Sequence, residues 1–441
     1  MSTDTPDHDS GEMADLVEYD IDDEPPLTEA IPLGIQHLLA MFLSTVALPL
    51  VIAGAIGLDG AETAFIVQMA LLVAGLATIV QVYSIGPIGA RLPIVMGTSA
   101  IFVAPLIDIG SAFGIAAIFG AVIVAAPVEI VIGYFYDDLE RFFPPLVTGT
   151  VVMLVGLTLI PTAIDYAAGG PGAETYGNLE NLALAGLVLI TAVGLNQYFD
   201  GLLSISSVLV AVVVGYVVAV PLGLLDLSGV AEAGWIAVPM PLEFGVEFHP
   251  SAILIAAFAY VVTSMETIGD IEGTAGTVGR RATSEEMRGG LFADGVMSMF
   301  AGFFNAFPNT SFSQNVGLIG FTGVASKLVV GICGVFLVVL GLIPKVAAVV
   351  SAMPNPVLGG AAVVLFGMIF SIGLRIVSNR VTLNRRNLSI IAISVVLGVG
   401  VEVRPDALAQ FPEDARVLLG SGLLVGGVVA LVLNAILPKE R

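Results

Sequence analysis

Long apolar runs recur along almost the whole chain, and they constrain its fold more than any other feature. Of the 441 residues, 57% are hydrophobic and only 12% are charged, against about 25% charged in a soluble domain. An apolar helix of about 20 residues crosses a bilayer, and breaks at polar, Pro and Gly residues divide the chain into fourteen candidate spans. The sequence therefore predicts an all-α polytopic membrane protein and excludes a soluble enzyme. The span centres lie near residues 43, 73, 99, 122, 153, 188, 212, 260, 298, 317, 335, 364, 394 and 427.

The charged minority is strongly acidic, with 37 Asp and Glu residues against 15 Lys and Arg residues and a net charge of -22. Such a chain repels nucleic acid, whose binding proteins present basic patches. The first 30 residues hold eleven of the acids and no Lys or Arg, so we expect an acidic, disordered cytoplasmic tail over residues 1–30. Acid-rich loops also suit a cytoplasm of high salt, which predicts a halophilic source.

One long polar stretch, residues 226–249, divides the spans into two sets of seven, over residues 31–225 and 250–438. We expect this stretch to be an extracellular connecting loop. Because seven is odd, the second set enters the membrane in the opposite orientation, which is the inverted-repeat plan of secondary transporters. With the N-terminus inside, twelve Lys and Arg residues fall in inside loops and three outside. The positive-inside rule therefore predicts that both termini are cytoplasmic.

The third and tenth spans differ from ordinary lipid-facing helices. Residues 92–105 and 307–317 are short segments, broken by Pro, Gly and small polar residues, and each is third in its repeat. Broken backbone at membrane depth requires protein or water to satisfy its amides. A matched pair of such segments in two halves points to the substrate site of a transporter, although helices that pack through Ser and Thr would show some of the same features.

Five ionisable residues fall at membrane depth, where such groups usually mark a substrate, ion or proton path. Glu266 and Asp270 lie four residues apart and share one helix face, unless Asp270 is solvated at the helix end. Asp294 belongs to the same path or lies at the interface as a helix cap. His37 takes part in the chemistry or joins two helices by a hydrogen bond. For Glu129, near the cytoplasmic end of its span, we favour a structural or interfacial role.

The tenth span adds the uncharged amides of Gln314 and Asn315. With Glu266 they form a set of groups that suits the edge of a flat heterocycle, because an amide meets a ring N–H and C=O pair through two hydrogen bonds. The rings of Phe102 and Phe312 are available to stack on its face. A sugar, amino acid or anion site uses most of the same groups, so the residues alone leave the substrate open.

At these residues the sequence resembles the nucleobase/ascorbate transporter family, also called the nucleobase:cation symporters or xanthine/uracil permeases. The likeness runs from about Ile31 to near the end of the chain. Its most specific part is the signature (Gln/Glu/Pro)-Asn-x-Gly-x4-Thr-(Gly/Arg/Lys), which is met at every defined position of residues 314–323. Further matches are Gln36-His37, Gly97-Thr98-Ser99, Glu266-x3-Asp270 and Ala293-Asp294-Gly295.

The resemblance implies a substrate site between two half-helices whose N-termini present free amides. Glu266 would bind the base through its ring N–H groups, and Gln314 would contact the other edge. Asn315 would hold the signature segment in shape. Ala100 and Ser313, which belong to the two broken spans, are placed in the same site.

The resemblance also implies how transport is coupled and which domains move. Asp294, with Asp270, would belong to the polar network that couples protonation to conformational change, and His37 would support affinity. A core domain of spans 1–4 and 8–11 would move against a gate domain of spans 5–7 and 12–14, usually in a homodimer. Gly422-x3-Gly426 in the last span is a pattern that brings helices close, either between two copies or within one chain.

Substrate choice follows from three positions. Gln314, Gly323 and Asp270 match the xanthine and urate carriers of the family, whereas uracil carriers resemble Glu, Arg and His at these places. The segment Ala100-Ile101-Phe102 departs from the Phe-Asn-Phe that is common in those purine carriers. We therefore expect proton- or Na+-coupled uptake of xanthine and/or urate, with another nucleobase or a sulfate-type anion as alternatives. The sequence shows no catalytic motif, metal-ligand cluster or cofactor motif.

Overall fold

The computed structural model describes residues 17–136 and 144–438. Two short strands, β1 (Met96–Thr98) and β2 (Asn309–Ser311), and two 3-10 turns, Ala100–Phe102 and Pro405–Leu408, accompany the helices. In chain order the helices are α1 Leu27–Ala55, α2 Gly60–Tyr83, α3 Val103–Phe113, α4 Ile115–Ala125, α5 Pro127–Tyr134, α6 Pro145–Thr158, α7 Ile160–Ala167, α8 Leu179–Tyr198, α9 Leu202–Ile205, α10 Ser207–Ala219, α11 Ser228–Glu232, α12 Pro250–Thr277, α13 Ser284–Phe303, α14 Ser313–Thr322, α15 Lys327–Gly341, α16 Pro344–Ser351, α17 Asn355–Arg380, α18 Arg385–Val403, α19 Glu413–Gly420 and α20 Gly422–Ile436.

Several helices, alone or joined end to end, are of membrane-spanning length. Helix α1 alone, with 29 residues, measures about 43 Å at 1.5 Å per residue, more than the ~30 Å hydrocarbon core of a bilayer. Within the described part, eight continuous spans are long and apolar enough to cross, or ten if two bent pairs each count once. These pairs, α15 with α16 and α19 with α20, bend by 82° and 69°. The prediction of an all-α polytopic protein is confirmed, while the number fourteen stays a prediction.

Side-chain caps explain where individual helices begin. Asp59 precedes α2, and its carboxylate accepts the backbone N–H groups of Ala61 and Glu62 at 2.9 Å. Glu62 reaches back to the Asp59 N–H at 3.0 Å, which completes a capping box. Thr283 and Glu286 form the same motif before α13, so two of the long helices begin at positions dictated by local sequence.

The predicted acidic tail differs from the structure at its C-terminal end. Residues 1–16 lie outside the described part, but α1 already begins at Leu27. Before it, the Tyr19 N–H donates to the Gly323 carbonyl at 3.3 Å, and Asp22 forms an ion pair with Lys327. The expectation of disorder is therefore wrong for residues 17–30, because backbone hydrogen bonds join this segment to the loop after α14.

The long helices pack predominantly within two groups. One contains α1–α5 and α12–α16, where α15 lies against α2 and α13 lies against α5. The other contains α6–α10 and α17–α20, where α17 lies against α6. Glycines allow the closest crossings: a Cβ on Gly75 would lie 2.6 Å from the Gly334 carbonyl oxygen, and one on Gly373 would lie 2.7 Å from that of Gly149. Small residues thus bring backbones together in both groups.

The stretch between the two halves lies over the ends of the first group. The Glu247 N–H donates to the Ala116 carbonyl at 3.0 Å, and the His249 ring stacks on Phe113 with centroids 4.2 Å apart. Lys345 donates to the carbonyl of Val230 at 2.8 Å. Residues 226–249 are therefore anchored to neighbouring helices along their length.

The two glycines of the last span pack within one chain. A Cβ on Gly422 would lie 2.6 Å from the Gly398 carbonyl oxygen, and one on Gly426 would lie 2.9 Å from that of Ser394. Both contacts are with α18. The small-residue pattern thus serves intrachain packing and carries no argument for a dimer.

Candidate functional site

The two broken spans meet in the middle of the molecule as a pair of strands. β1 pairs with β2 antiparallel, with Met96 opposite Ser311, Gly97 opposite Thr310 and Thr98 opposite Asn309. All six residues are buried. Strand pairing satisfies backbone amides that a helix would otherwise satisfy internally, so the prediction that spans 3 and 10 are discontinuous is confirmed.

Hydrogen bonds extend this pairing at both ends. The Ser99 N–H donates to the Pro308 carbonyl at 2.9 Å, and the Phe312 N–H donates to the Val95 carbonyl at 3.0 Å. Gly97 lies so close to the Phe312 ring and the Thr45 hydroxyl that a Cβ at this position would overlap both. The glycine is therefore needed for close approach between the two segments.

Each strand leads directly into a short helix. After β1 the chain forms the 3-10 turn Ala100–Phe102 and then α3, and after β2 it forms α14 from Ser313. The first N–H groups of a helix have no partner within it, and the aligned peptide dipoles place partial positive charge there. Ala100 and Ser313 line a common cavity, so two such N-termini are directed at one place.

This cavity, which we call the central cavity, has a volume of about 40 Å³. Its lining comes from the broken spans, α1, α12 and α17. Glu266, Gln314 and the Phe312 ring are among the lining groups, and their role in binding a substrate stays a prediction. The complete lining is Ser44, Leu48, Ala100, Glu266, Thr310, Phe312, Ser313, Gln314, Leu365, Met368, Ile369 and Ile372.

Asp270 lies beside the cavity but is engaged by the second half-helix. Its two carboxylate oxygens accept hydrogen bonds from the hydroxyls of Ser311 and Ser313, each at 2.7 Å. The side chain is 6% exposed, so it is not solvated at a helix end. Asp270 therefore anchors the start of α14 to α12.

Asp294 reaches the cavity through two hydroxyls. The Thr267 hydroxyl donates to Asp294 Oδ2, and the Thr267 and Thr310 hydroxyl oxygens lie 3.4 Å apart. Thr310 lines the central cavity, whereas Asp294 is completely buried behind it. An interfacial position for Asp294 is excluded by this burial, and a polar chain links its carboxyl group to the site.

His37 and Asn315 form a contact between α1 and the signature helix. The Asn315 side-chain amide donates to the His37 main-chain carbonyl at 3.1 Å and lies 3.0 Å from the ring Nδ1. Both residues are buried, and neither lines the central cavity. They position α14 from the side facing away from the cavity.

Phe102 differs from the prediction that it stacks on the substrate. It is completely buried and packs edge-on against Tyr260, with ring centroids 4.6 Å apart. It is absent from the lining of the central cavity, because the 3-10 turn directs it toward α12. Of the two predicted stacking rings, Phe312 lies at the cavity and Phe102 does not.

Comparison with known proteins places this geometry in a family. A family model described as a permease family, that of the xanthine and uracil permeases, matches residues 28–407. This chain belongs to that permease family. Among its relatives, the xanthine permease XanP of Escherichia coli is 40% identical over 96% of this chain and 95% of its own. The uric acid permease PucK of Bacillus subtilis is 38% identical over 93% of this chain and 95% of its own.

Solved structures show the same fold at low sequence identity. The transmembrane domain of the cyanobacterial bicarbonate transporter BicA matches the permease with a TM-score of 0.60 at 15% identity, over 92% of this chain and 97% of that chain. The murine anion transporter Slc26a9 in its inward-facing state matches with a TM-score of 0.61 at 12% identity, over 99% of this chain and 74% of that chain. At these identities the likeness concerns the fold alone.

One residue of the permease was undervalued by the sequence argument. Glu129 on α5 is completely buried, so an interfacial role is wrong. Within the described part of the chain, neither of its carboxylate oxygens has a hydrogen-bond partner. A carboxylate in an apolar span is itself unusual and usually marks a functional path. The position of Glu129 near a helix end nevertheless favoured a structural or interfacial role.

Proposed function

We propose that this permease takes up an oxidised purine base, xanthine and/or urate, by proton- or cation-coupled secondary transport. The observation that carries the proposal is that Glu266 and Gln314 line one cavity at the meeting point of two half-helices. A carboxylate accepts ring N–H groups, and an amide supplies one donor and one acceptor to the other edge. The relatives named as xanthine and uric acid permeases support a purine as the substrate.

The remaining groups of the central cavity suit a flat, polar ring. Phe312 offers an aromatic face for stacking. The N-termini at Ala100 and Ser313 offer N–H groups to ring carbonyl oxygens, of which oxidised purines have two or three. Small side chains at these two positions leave the backbone accessible. One planar ligand could therefore contact Glu266 and Gln314 at its edges, the two helix N-termini at its carbonyl oxygens and Phe312 on its face.

The size of the cavity supports alternating movement of two domains. About 40 Å³ is far below the ~300 Å³ or more of an ordinary ligand pocket, so a purine base requires a wider site. Helix α17 contributes four lining residues, Leu365, Met368, Ile369 and Ile372. We propose that α17 moves with the gate, spans 5–7 and 12–14, against the core, spans 1–4 and 8–11. The two packing groups of helices support this division.

Two alternatives are less well supported. The solved anion transporters share the fold, but at 15% and 12% identity that likeness says nothing of the substrate. Uracil uptake would fit the same cavity, yet Gln314 and Asp270 match the purine carriers. A competition assay with xanthine, urate and uracil distinguishes these substrates.

The test is uptake into proteoliposomes with pH and Na+ gradients imposed separately. Radiolabelled xanthine should accumulate in vesicles with the wild-type protein, and Glu266→Gln should abolish accumulation because an NH2 donor replaces one of the two acceptor oxygens that face the ring N–H groups. Glu180→Gln is the matched control, since Glu180 is an exposed carboxylate at the start of α8. The proposal fails if the wild-type protein moves no purine or pyrimidine under either gradient.

We further propose the cell membrane as the location, with both termini cytoplasmic, and a homodimer as the assembly. The distribution of Lys and Arg between loops supports the orientation. Single cysteines placed in the acidic tail and in residues 226–249 should react with an impermeant thiol reagent from opposite sides, in a Cys333→Ser background. Labelling of both from one side would refute the orientation.

A further inference from the structure

Glu129 lies against the polar chain that leads from the central cavity. It is on α5, which packs against α13, α12 and the end of α4. A Cβ on Gly295, the residue that follows Asp294, would lie 3.2 Å from Glu129 Cβ. Glu129 therefore faces the residue next to Asp294 across the contact between α5 and α13.

The two carboxyl groups together have four oxygens, and only one of them, Asp294 Oδ2, accepts a hydrogen bond. Glu129 and Asp294 are completely buried. Among residues 17–136 and 144–438, no donor reaches either oxygen of Glu129 or the Oδ1 of Asp294. Buried charges are normally paired or hydrogen-bonded, because the loss of water is otherwise not offset. With three unpartnered oxygens between two neighbouring carboxyl groups, we therefore expect one of the two groups to hold a proton, since two buried negative charges would be costly.

The titratable groups around Glu129 are the carboxyl groups of Asp294 on α13 and Glu266 on α12, with the Tyr260 phenol on α12. Toward the end of α5, the Arg288 guanidinium of α13 lies 6.0 Å from the centroid of the Tyr134 ring. Helix α4 carries no titratable residue. In the described part of the chain no three His, Cys, Asp or Glu side chains converge to hold a metal ion. A proton needs only one oxygen, whereas a metal ion requires a shell of ligands.

We infer that Glu129 is a proton-coupling residue, which exchanges a proton with Asp294 during transport. In the step, the O–H bond of the Glu129 carboxylic acid breaks and an O–H bond forms on Asp294 Oδ1. Glu129 becomes the carboxylate and Asp294 becomes neutral, so proton and charge are conserved. Thr267 and Thr310 then connect Asp294 to the cavity lined by Glu266. The inference rests on the proposed function of that cavity.

The experiment separates exchange from accumulation in proteoliposomes. Xanthine counterflow at equal pH on both sides requires binding and movement of the carrier but no net proton transfer, whereas accumulation under a pH gradient requires coupling. Glu129→Gln keeps the shape of the neutral acid and removes its transferable proton. Counterflow should remain within about twofold of wild type, and accumulation under the pH gradient should fall at least about tenfold.

Two further variants make the result decisive. Glu129→Asp keeps a carboxyl group and should recover accumulation above that of Glu129→Gln, while the exposed control Glu180→Gln should behave like wild type. Accumulation by Glu129→Gln at the wild-type level would overturn the inference. If both Glu129 variants lose counterflow as well as accumulation, Glu129 has a structural role and the inference is wrong. The inference is also wrong if a Na+ gradient alone drives accumulation by the wild-type protein. Failure of the proposed function is distinct, because wild type would then show no counterflow.

Discussion

The contact between Asp270 and the signature helix supports a quantitative prediction. Asp270 on α12 accepts hydrogen bonds from Ser311 and Ser313 at 2.7 Å, and these residues flank the start of α14. A hydrogen bond to a charged group contributes about 1.5–3 kcal/mol net. Loss of both in Asp270→Ala should therefore destabilise the protein by about 3–6 kcal/mol.

A double-mutant cycle isolates the interaction from other effects of the substitutions. Ser313→Ala alone should lower the free energy of unfolding by about 1.5–3 kcal/mol, and in the Asp270→Ala background it should change that energy by less than about 0.5 kcal/mol. The measurement is SDS titration of the purified protein in mixed micelles, followed by circular dichroism. Ser371→Ala is the control, because Ser371 is exposed and its hydroxyl donates to the Gly367 carbonyl of its own helix.

Additive changes in the free energy of unfolding would contradict this prediction. If Ser313→Ala has the same effect in both backgrounds, the two side chains do not interact and Asp270 does not anchor α14. A second consequence concerns transport. Asp270→Asn retains one acceptor oxygen, so if anchoring is its main role this variant should accumulate xanthine less well with an unchanged dependence on the pH gradient. A changed dependence would instead assign Asp270 to the predicted proton-coupling network.

Three further predictions concern the central cavity and its supports. Gln314→Glu should shift competition from xanthine toward uracil, measured as the ratio of inhibitory concentrations; an unchanged ratio would count against edge recognition. Gly97→Val should overlap the Phe312 ring, cost about 1–3 kcal/mol and abolish xanthine binding, measured by thermal shift and scintillation proximity. Asn315→Ala should cost about 1–3 kcal/mol by leaving the ring nitrogen and main-chain carbonyl of His37 unpaired. The effect of His37→Ala should be smaller in that background than in the wild type; full additivity in SDS titration would refute the ring contact.

The broad features of the fold could be predicted because they depend on local composition. Apolar runs of bilayer length predict spanning helices wherever they occur, and Pro, Gly and small polar residues at 92–105 and 307–317 predict broken backbone. Broken backbone must be paired within a membrane, so a partner for each segment was expected. The register of Met96 opposite Ser311 was not predictable, since three-residue strands carry no repeating pattern that selects one alignment.

Some candidate residues kept their expected place and others did not. Glu266, Gln314 and Phe312 line the central cavity, as the spacing on their segments suggests. Phe102 packs against Tyr260 instead, and it lies in the 3-10 turn Ala100–Phe102 that follows Ser99. The sequence does not reveal such a turn, since 3-10 and α conformations favour nearly the same residues.

The sequence by itself determined that this chain lies in a membrane, that its third and tenth spans are interrupted, and which family it belongs to. Hydropathy, backbone-breaking residues and a ten-residue signature are all properties of neighbours along the chain. Only the tertiary structure decided that Asp270 holds the signature helix, that Asp294 reaches the cavity through Thr267, and that Glu129 lies buried beside Asp294. Helical periodicity tells which residues share a face but not which helix covers that face, and it is the covering helix that makes a carboxyl group an anchor or a proton carrier.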